Sequence, residues 1–182
     1  MEKLLETLKS GGIILYPTDT IWGIGCDATD DEAVMRIFEL KNRDQNKPLI
    51  ILVESEKRLQ DLVEVPAIAW DIMDLSEKPI TIVYDAPNGI SKNLLAEDGS
   101  IGIRLVKDEF CKRLISKLNK PIVSTSANFS GEKSPKSFAD ISQKLINEVD
   151  AVAESQKSRV SEWEASSIIR VWNDGRIKVI RE

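Results

Sequence analysis

At 182 residues the chain has the size of one domain, able to bury roughly 70% of the surface its unfolded form exposes. Its 25 Lys and Arg against 30 Asp and Glu give a net charge of -5 and an isoelectric point near 5.0, which opposes a broad phosphate-neutralising face while leaving room for a local basic cleft. With no histidine and only two distant cysteines, Cys26 and Cys111, imidazole bases, Ser-His-Asp and Cys-His catalysis, histidine-ligated metals, a disulfide framework and a zinc ribbon are excluded. Both cysteines are expected as plain buried thiols.

The opening MEKLLETLKSGG mixes charges with leucines and has no continuous apolar run, so it reads as neither a signal peptide nor a membrane anchor, and a cytoplasmic location is expected. Leu4, Leu5 and Leu8 share a helical face over Met1 to Lys9, and Gly11 with Gly12 forms the stop. Ile13 to Leu15 then predicts a strand that Pro17 ends. The following stretch, Tyr16 to Ala28, offers hydroxyls, the carboxylate of Asp19, and Gly23 with Gly25, whose backbone freedom suits a ligand loop; an ordinary strand-to-helix connection is the plainer reading.

Asp30 or Asp31 can cap a helix whose Val34, Ile37 and Phe38 recur at three and four, running on through Leu40 to Arg43. Ile50 to Val53 is an apolar run of the kind buried on both faces of a sheet. Ser55 to Val63 and Pro66 to Leu75 read as helices, Ile80 to Tyr84 as a strand closed by a turn over Asp85 to Gly89, and Asn93 to Gly99 as a loop. Ser100 to Leu105 is a strand, followed by a helix using Phe110, Cys111, Leu114, Ile115 and Leu118.

Pro121 to Val123 returns to the sheet and opens a polar run, Ser124 to Ser137, which ends in a capping-box pattern over Ser137 to Asp140 before a helix bearing Ile141, Leu145 and Ile146. Glu154 to Glu164 is polar. Ser167 to Trp172 and Ile177 to Ile180 flank Asn173, Asp174 and Gly175 as an antiparallel hairpin. Alternating helices and strands with no internal repeat predict one α/β domain over 1–182, with a twisted mixed sheet flanked by helices.

Three polar sets fall at element ends, where open α/β sheets bind ligands. Lys41, Arg43 and Lys47 place three cations within seven residues; such a group can hold a polyphosphate, or simply end a solvated helix favourably. Ser124, Thr125, Ser126, Asn128, Ser130 and Ser134 suit a phosphate or nucleoside, or bond to their own backbone. Neither a GxGxxG fingerprint nor a Walker A lysine is present, so any ATP site uses another cradle.

Taken in order, these stretches resemble the YrdC/Sua5 family of threonylcarbamoyl-AMP synthases. PTDTIWGIGCDA is similar to the family's PT(D/E)TxYGLGxDA, LKNRDQNKPL to its K-x-R…KPL segment, SIGIRL to its strand ending in arginine, and STSANFSG to its SxSANxSG loop. The resemblance covers nearly the whole chain and matches the short form without the extra C-terminal domain. It implies a YrdC-like fold and a nucleotidyltransferase that makes L-threonylcarbamoyladenylate and pyrophosphate from ATP, L-threonine and bicarbonate, with Mg²⁺ assisting. A downstream threonylcarbamoyl transferase complex would use the product to form N6-threonylcarbamoyladenosine at position 37 of tRNA.

By motif position, the resemblance implies that Thr20, Arg104, Ser124 and Ser166 bind threonine, while Lys41, Arg43, Lys47, Ser126, Asn128, Ser134 and Arg181 bind the nucleotide. No protein nucleophile is implied, alignment falls to Lys41 and Arg43, and no metal ligand is indicated. Asp19 would orient the threonine ammonium or a nearby water, or cap its own turn. The sequence departs from the family at Trp22 for a tyrosine, at SEKPIT for a PGPxT turn, at Asp108 and Glu109 for HP, and at Arg170 for an aspartate. The alternative function is a non-catalytic structured-RNA-binding or ribosome-assembly module, with direct contact to tRNA.

Overall fold

A computed structural model describes residues 1–44, 49–161 and 163–182. Helix α1 (Glu2–Lys9) leads through Gly11, whose φ of +74° is the left-handed backbone its stop requires, into strand β1 (Ile14–Pro17). Strand β2 (Trp22–Gly25) lies inside the stretch expected as a loop and pairs antiparallel with β1. Pro17 therefore does not end the ladder: it lies opposite Trp22, and the irregular part shrinks to the turn at Thr18–Ile21.

Gly23 and Gly25 are needed for close approach rather than for unusual backbone angles. A Cβ on Gly25 would stand 2.1 Å from the Val123 carbonyl oxygen, and one on Gly23 would stand 3.0 Å from that of Thr125. Both oxygens belong to β6 (Ile122–Ser126), which pairs antiparallel with β2. This strand runs three residues beyond the expected Val123, so the serine loop begins on the sheet.

Asp30 is the cap of α2 (Asp31–Lys41), accepting from the amides of Glu32 and Ala33, and Asn42 closes the helix in the left-handed region. Strand β3 (Ile50–Val53), α3 (Glu56–Leu62), α4 (Ala67–Leu75), β4 (Ile80–Tyr84), β5 (Ile101–Leu105) and α5 (Glu109–Leu118) follow as expected, apart from a 3-10 turn at Lys92–Leu94. The capping box of Ser137 and Asp140 is formed, but it caps a 3-10 turn; the true helix, α6 (Gln143–Glu148), starts one turn later under Ser142. A short β7 (Ala151–Val152) precedes the hairpin of β8 (Ser167–Val171) and β9 (Ile177–Arg181).

These strands form one mixed sheet in the order β7-β1-β2-β6-β3-β5-β4-β8-β9. Period-two alternation divides the core. Ile13, Leu15, Ile51 and Val53 pack on one face with Val34, Ile37, Phe38, Leu59, Ala69 and Met73 from α2, α3 and α4. Ile14, Tyr16 and Leu52 pack on the other with Leu4 and Leu8 of α1 and Leu114, Ile115 and Leu118 of α5. Cys26 and Cys111 are fully buried, one in each layer, and burial pushes both thiols above their ordinary range.

Candidate functional site

The ends of β1, β2, β5, β6, β8 and β9 meet around a polar cleft of about 170 Å³. That is below the roughly 300–1,000 Å³ of sites enclosing drug-sized ligands, so its enclosed part suits a small polar group. Of the residues expected from sequence, Thr20, Arg43, Arg104 and Ser124 line it together with Ser126, Ser134, Ser166 and Arg181. Residues far apart in the chain are thus gathered by strand pairing: Gly23 lies opposite Ser126, Ile50 opposite Ser124, Leu52 opposite Arg104, and Ile168 opposite Arg181.

The hydroxyl network at the β1–β2 turn has a definite direction. Thr18 Oγ1 donates to the Ile21 carbonyl at 2.9 Å and accepts from the Thr20 amide at 3.1 Å. With its proton spent there, the 2.9 Å contact between the two hydroxyls has Thr20 as donor. Thr20 Oγ1 then accepts from Arg104 Nη1 at 3.0 Å. Arg104 is buried, and its Nε stands 3.3 Å from Asp19 Oδ1 without hydrogen-bond alignment.

On the opposite wall, Arg181 donates from Nε and Nη2 to the Ser166 carbonyl at 3.1 and 2.6 Å, and the Ser166 hydroxyl pairs with Thr81 Oγ1 at 2.7 Å. Burial, then the positive charge of Arg104, pulls the Arg181 guanidinium below its ordinary value; burial does the same to Arg43. Three guanidiniums line one cleft, and the charge of Arg104 acts on Arg181, so the cleft favours an anion.

Two expected residues lie outside this lining. Lys41 is buried behind it: Nζ donates to the Ser126 carbonyl at 2.5 Å and contacts its hydroxyl at 3.3 Å. Ser130 Oγ donates back to the Lys41 carbonyl at 3.1 Å, so α2 is tied to the serine loop twice. Asn128 donates from Nδ2 to the Glu132 carbonyl at 2.6 Å, closing its own turn at Gly131. Lys47 lies outside the described residues.

The departures from the family motifs have structural explanations. Trp22 is fully buried, packs edge-on against Phe138 at 5.3 Å and donates from Nε1 to the Arg159 carbonyl at 3.2 Å, so it is a core anchor and lines no part of the cleft. Asp108 caps α5 through the Cys111 amide at 2.8 Å and pairs with Arg159. Burial alone would raise its carboxyl, but the Arg159 and Cys111 hydrogen bonds bring it below its usual value. Arg170 bridges Asp85 and, at 3.0 Å, Asp98. In the SEKPIT turn, Ser76 Oγ donates to the Lys78 carbonyl at 2.8 Å, and Lys107 Nζ donates to that of Ser76 at 2.9 Å.

Thr125 and Gly23, expected in the serine run and the glycine-bearing loop, line the cleft, and so do Thr18 and Leu49, which the sequence does not single out as site residues. The alternation of threonines around Asp19 is a signal for Thr18. Leu49 has none, since it looks only like a strand entry.

Fold and cleft together define an α/β domain with an arginine- and hydroxyl-lined site at its strand ends. The chain belongs to the Sua5/YciO/YrdC family: the family model, which carries the description "Telomere recombination", matches residues 6–182. A threonylcarbamoyl-AMP synthase of Xanthomonas oryzae is 28% identical over 180 aligned residues, covering 93% of this chain and 96% of its own. A relative in Methanocaldococcus jannaschii is 35% identical over 186 aligned positions, covering 100% of this chain and 86% of its own.

Among solved structures, P. abyssi Sua5 complexed with L-threonine aligns with a TM-score of 0.84 at 26% identity over 92% of this chain. The chain spans about half of that protein, 49% of its length. E. coli YciO aligns with a TM-score of 0.82 over 98% of this chain and 86% of its own; at 22% identity the likeness speaks to the fold.

Proposed function

We propose that this chain is an L-threonylcarbamoyladenylate synthase, acting on L-threonine, bicarbonate and ATP. The observation that carries this reading is the meeting of Arg104, Arg43 and Arg181 with the hydroxyls of Thr20, Ser124, Ser126, Ser134 and Ser166 in one cleft. Relatives of nearly the same length bear the synthase name, which supports it over a structured-RNA module.

In this reading Arg104 and Thr20 take the threonine carboxylate, with Ser124 and Ser166 beside them, and the Arg43 side carries the nucleotide. Threonine's amine and bicarbonate condense to a carbamate with loss of water. A carbamate oxygen attacks the α-phosphorus of ATP, the new O–P bond forms as the α,β-bridging bond breaks, and pyrophosphate leaves with the electron pair. Arg43 and Arg181 oppose the charge that builds on the phosphates, so the protein supplies alignment and electrostatics rather than a nucleophile. Lys41 acts through Ser126, which it holds in place; Ser134, Asn128 and Lys47 complete the nucleotide side.

Mg²⁺, bound mainly through the ATP phosphates, would neutralise part of the leaving charge. Among the described residues no group of three or more His, Cys, Asp or Glu is placed to hold a metal. The product would pass to a threonylcarbamoyl transferase for tRNA position 37, in the cytoplasm. No helix among the described residues is long and apolar enough to cross a membrane.

The test is incubation of pure protein with ATP, L-threonine, bicarbonate and Mg²⁺, followed by mass spectrometry. A bicarbonate-dependent threonylcarbamoyladenylate is expected; ATP turnover with no such product would overturn the reading.

A further inference from the structure

Arg104 is approached from two sides. On one side Nη1 donates to Thr20 Oγ1 at 3.0 Å. On the other, Nε stands 3.3 Å from Asp19 Oδ1, and neither of these two buried atoms has another partner. The side chain of Asp19 is 10% exposed, and its Oδ2 is held from behind by the Lys107 amide at 3.4 Å. Asp19 does not line the cleft; it lines the hollows beyond it. Nη1 is held by Thr20 and Nε faces Asp19, while Nη2 makes no hydrogen bond among the described residues.

This placement differs from a direct contact between Asp19 and a ligand ammonium. It also answers a selection problem, because the cleft holds Arg43 and Arg181 as well. A bare buried guanidinium attracts a phosphate dianion more strongly than a carboxylate monoanion, since the attraction scales with charge. A carboxylate immediately behind Arg104 offsets much of its charge in that corner, while the bond to Thr20 orients the guanidinium. The corner is then shaped for one carboxylate, and the phosphates are left to the other two arginines of the cleft, Arg43 and Arg181.

We infer that Asp19 is a positioning residue that reserves Arg104 for the amino-acid carboxylate and keeps phosphate out of that corner. The inference rests on the proposed function, because it takes threonine as the carboxylate ligand.

Calorimetry on wild type, Asp19→Asn and Asp19→Glu measures the affinity for L-threonine and the strength of inorganic phosphate as its competitor. In Asp19→Asn the preference for threonine over phosphate falls by roughly tenfold or more, the scale of one charge-assisted contact. Asp19→Glu, which keeps the charge, restores most of it. A general loss of stability would weaken both ligands together and leave the ratio in place. An unchanged ratio in a folded Asp19→Asn protein that still binds threonine overturns the inference alone. A wild-type protein that binds no threonine overturns the proposed function with it.

NMR of the wild type provides a reading that needs no variant. The Arg104 Nε–H resonance is expected to exchange slowly and to stay put on threonine saturation while the Nη2 protons shift. Fast exchange at Nε, or displacement of Nε by threonine, overturns the pairing.

Discussion

The ammonium of Lys41 is buried 2.5 Å from the main-chain carbonyl oxygen of Ser126. Desolvation, followed by the neighbouring charge of Arg43, lowers its pKa to about 8. The unfolded chain, with lysine near its ordinary 10.5, therefore binds more protons than the native one between those values, and the lysine contribution to stability rises with pH across that window. Below about pH 8 both states are protonated and the term is flat. Urea unfolding from pH 7 to 10.5 is expected to show this slope in wild type and not in Lys41→Met, the difference amounting to about 3 kcal/mol or less.

Arg43 lines the cleft from the end of α2, and a guanidinium there is placed to meet a phosphate. Arg43→Ala is expected to lower kcat/KM for ATP by roughly 10- to 100-fold, the loss of one charge-assisted contact. Circular dichroism should show the fold retained. Equal turnover in pyrophosphate release would remove Arg43 from the phosphate side.

Trp22 holds the main chain at Arg159 through its indole bond to that carbonyl. Trp22→Phe keeps most of the apolar volume and loses that bond, so a loss of about 1 kcal/mol is expected. Trp22→Ala opens a cavity beside Phe138 and should cost about 3–5 kcal/mol. Chemical denaturation of the two variants separates the terms; equal losses would show that the indole N–H decides the effect.

Gly25→Ala puts a methyl 2.1 Å from the Val123 carbonyl oxygen and 3.0 Å from a Tyr16 ring carbon. Neither neighbour is a loose side-chain end: one is backbone in β6, and Tyr16 is fully buried with its hydroxyl donating to the same carbonyl at 3.3 Å. Overpacking commonly costs about 1–3 kcal/mol, and a clash with backbone should exceed it. Differential scanning calorimetry of Gly25→Ala against Gly131→Ala, whose Cβ meets nothing within 4 Å but whose φ of +88° is strained, distinguishes crowding from backbone strain. Crowding predicts the larger fall in melting temperature for Gly25→Ala.

Much of the fold is legible in the amino-acid sequence alone. Apolar runs such as Ile50 to Val53, the helical spacing of Leu114, Ile115 and Leu118, and the aspartates Asp30 and Asp31, of which Asp30 is the cap, are local signals, and the elements form where those signals lie. Elements whose identity depends on a partner strand escape such a reading. Trp22 to Gly25 becomes a strand because β1 and β6 hydrogen-bond to it on both sides, and its glycines, which suggest a loop in isolation, are what let β6 come close. The two-residue β7 has no signal of its own and exists only as a parallel neighbour of β1.

The chain by itself determined which chemistry was available: no imidazole, cations concentrated near Lys41, hydroxyls near Ser124, and ordered motifs that identify the family. Only the tertiary structure decided how those groups are used. Lys41 and Arg43 are close neighbours in the chain, yet one is spent on Ser126 inside the protein and the other lines the cleft. Asp19, in the turn between β1 and β2, and Arg104, on β5, are distant in the chain and meet at 3.3 Å. Spacing along a chain specifies which residues share a face of an element, but burial and pairing across elements depend on strand register, and register is settled by the packing of both sheet faces at once.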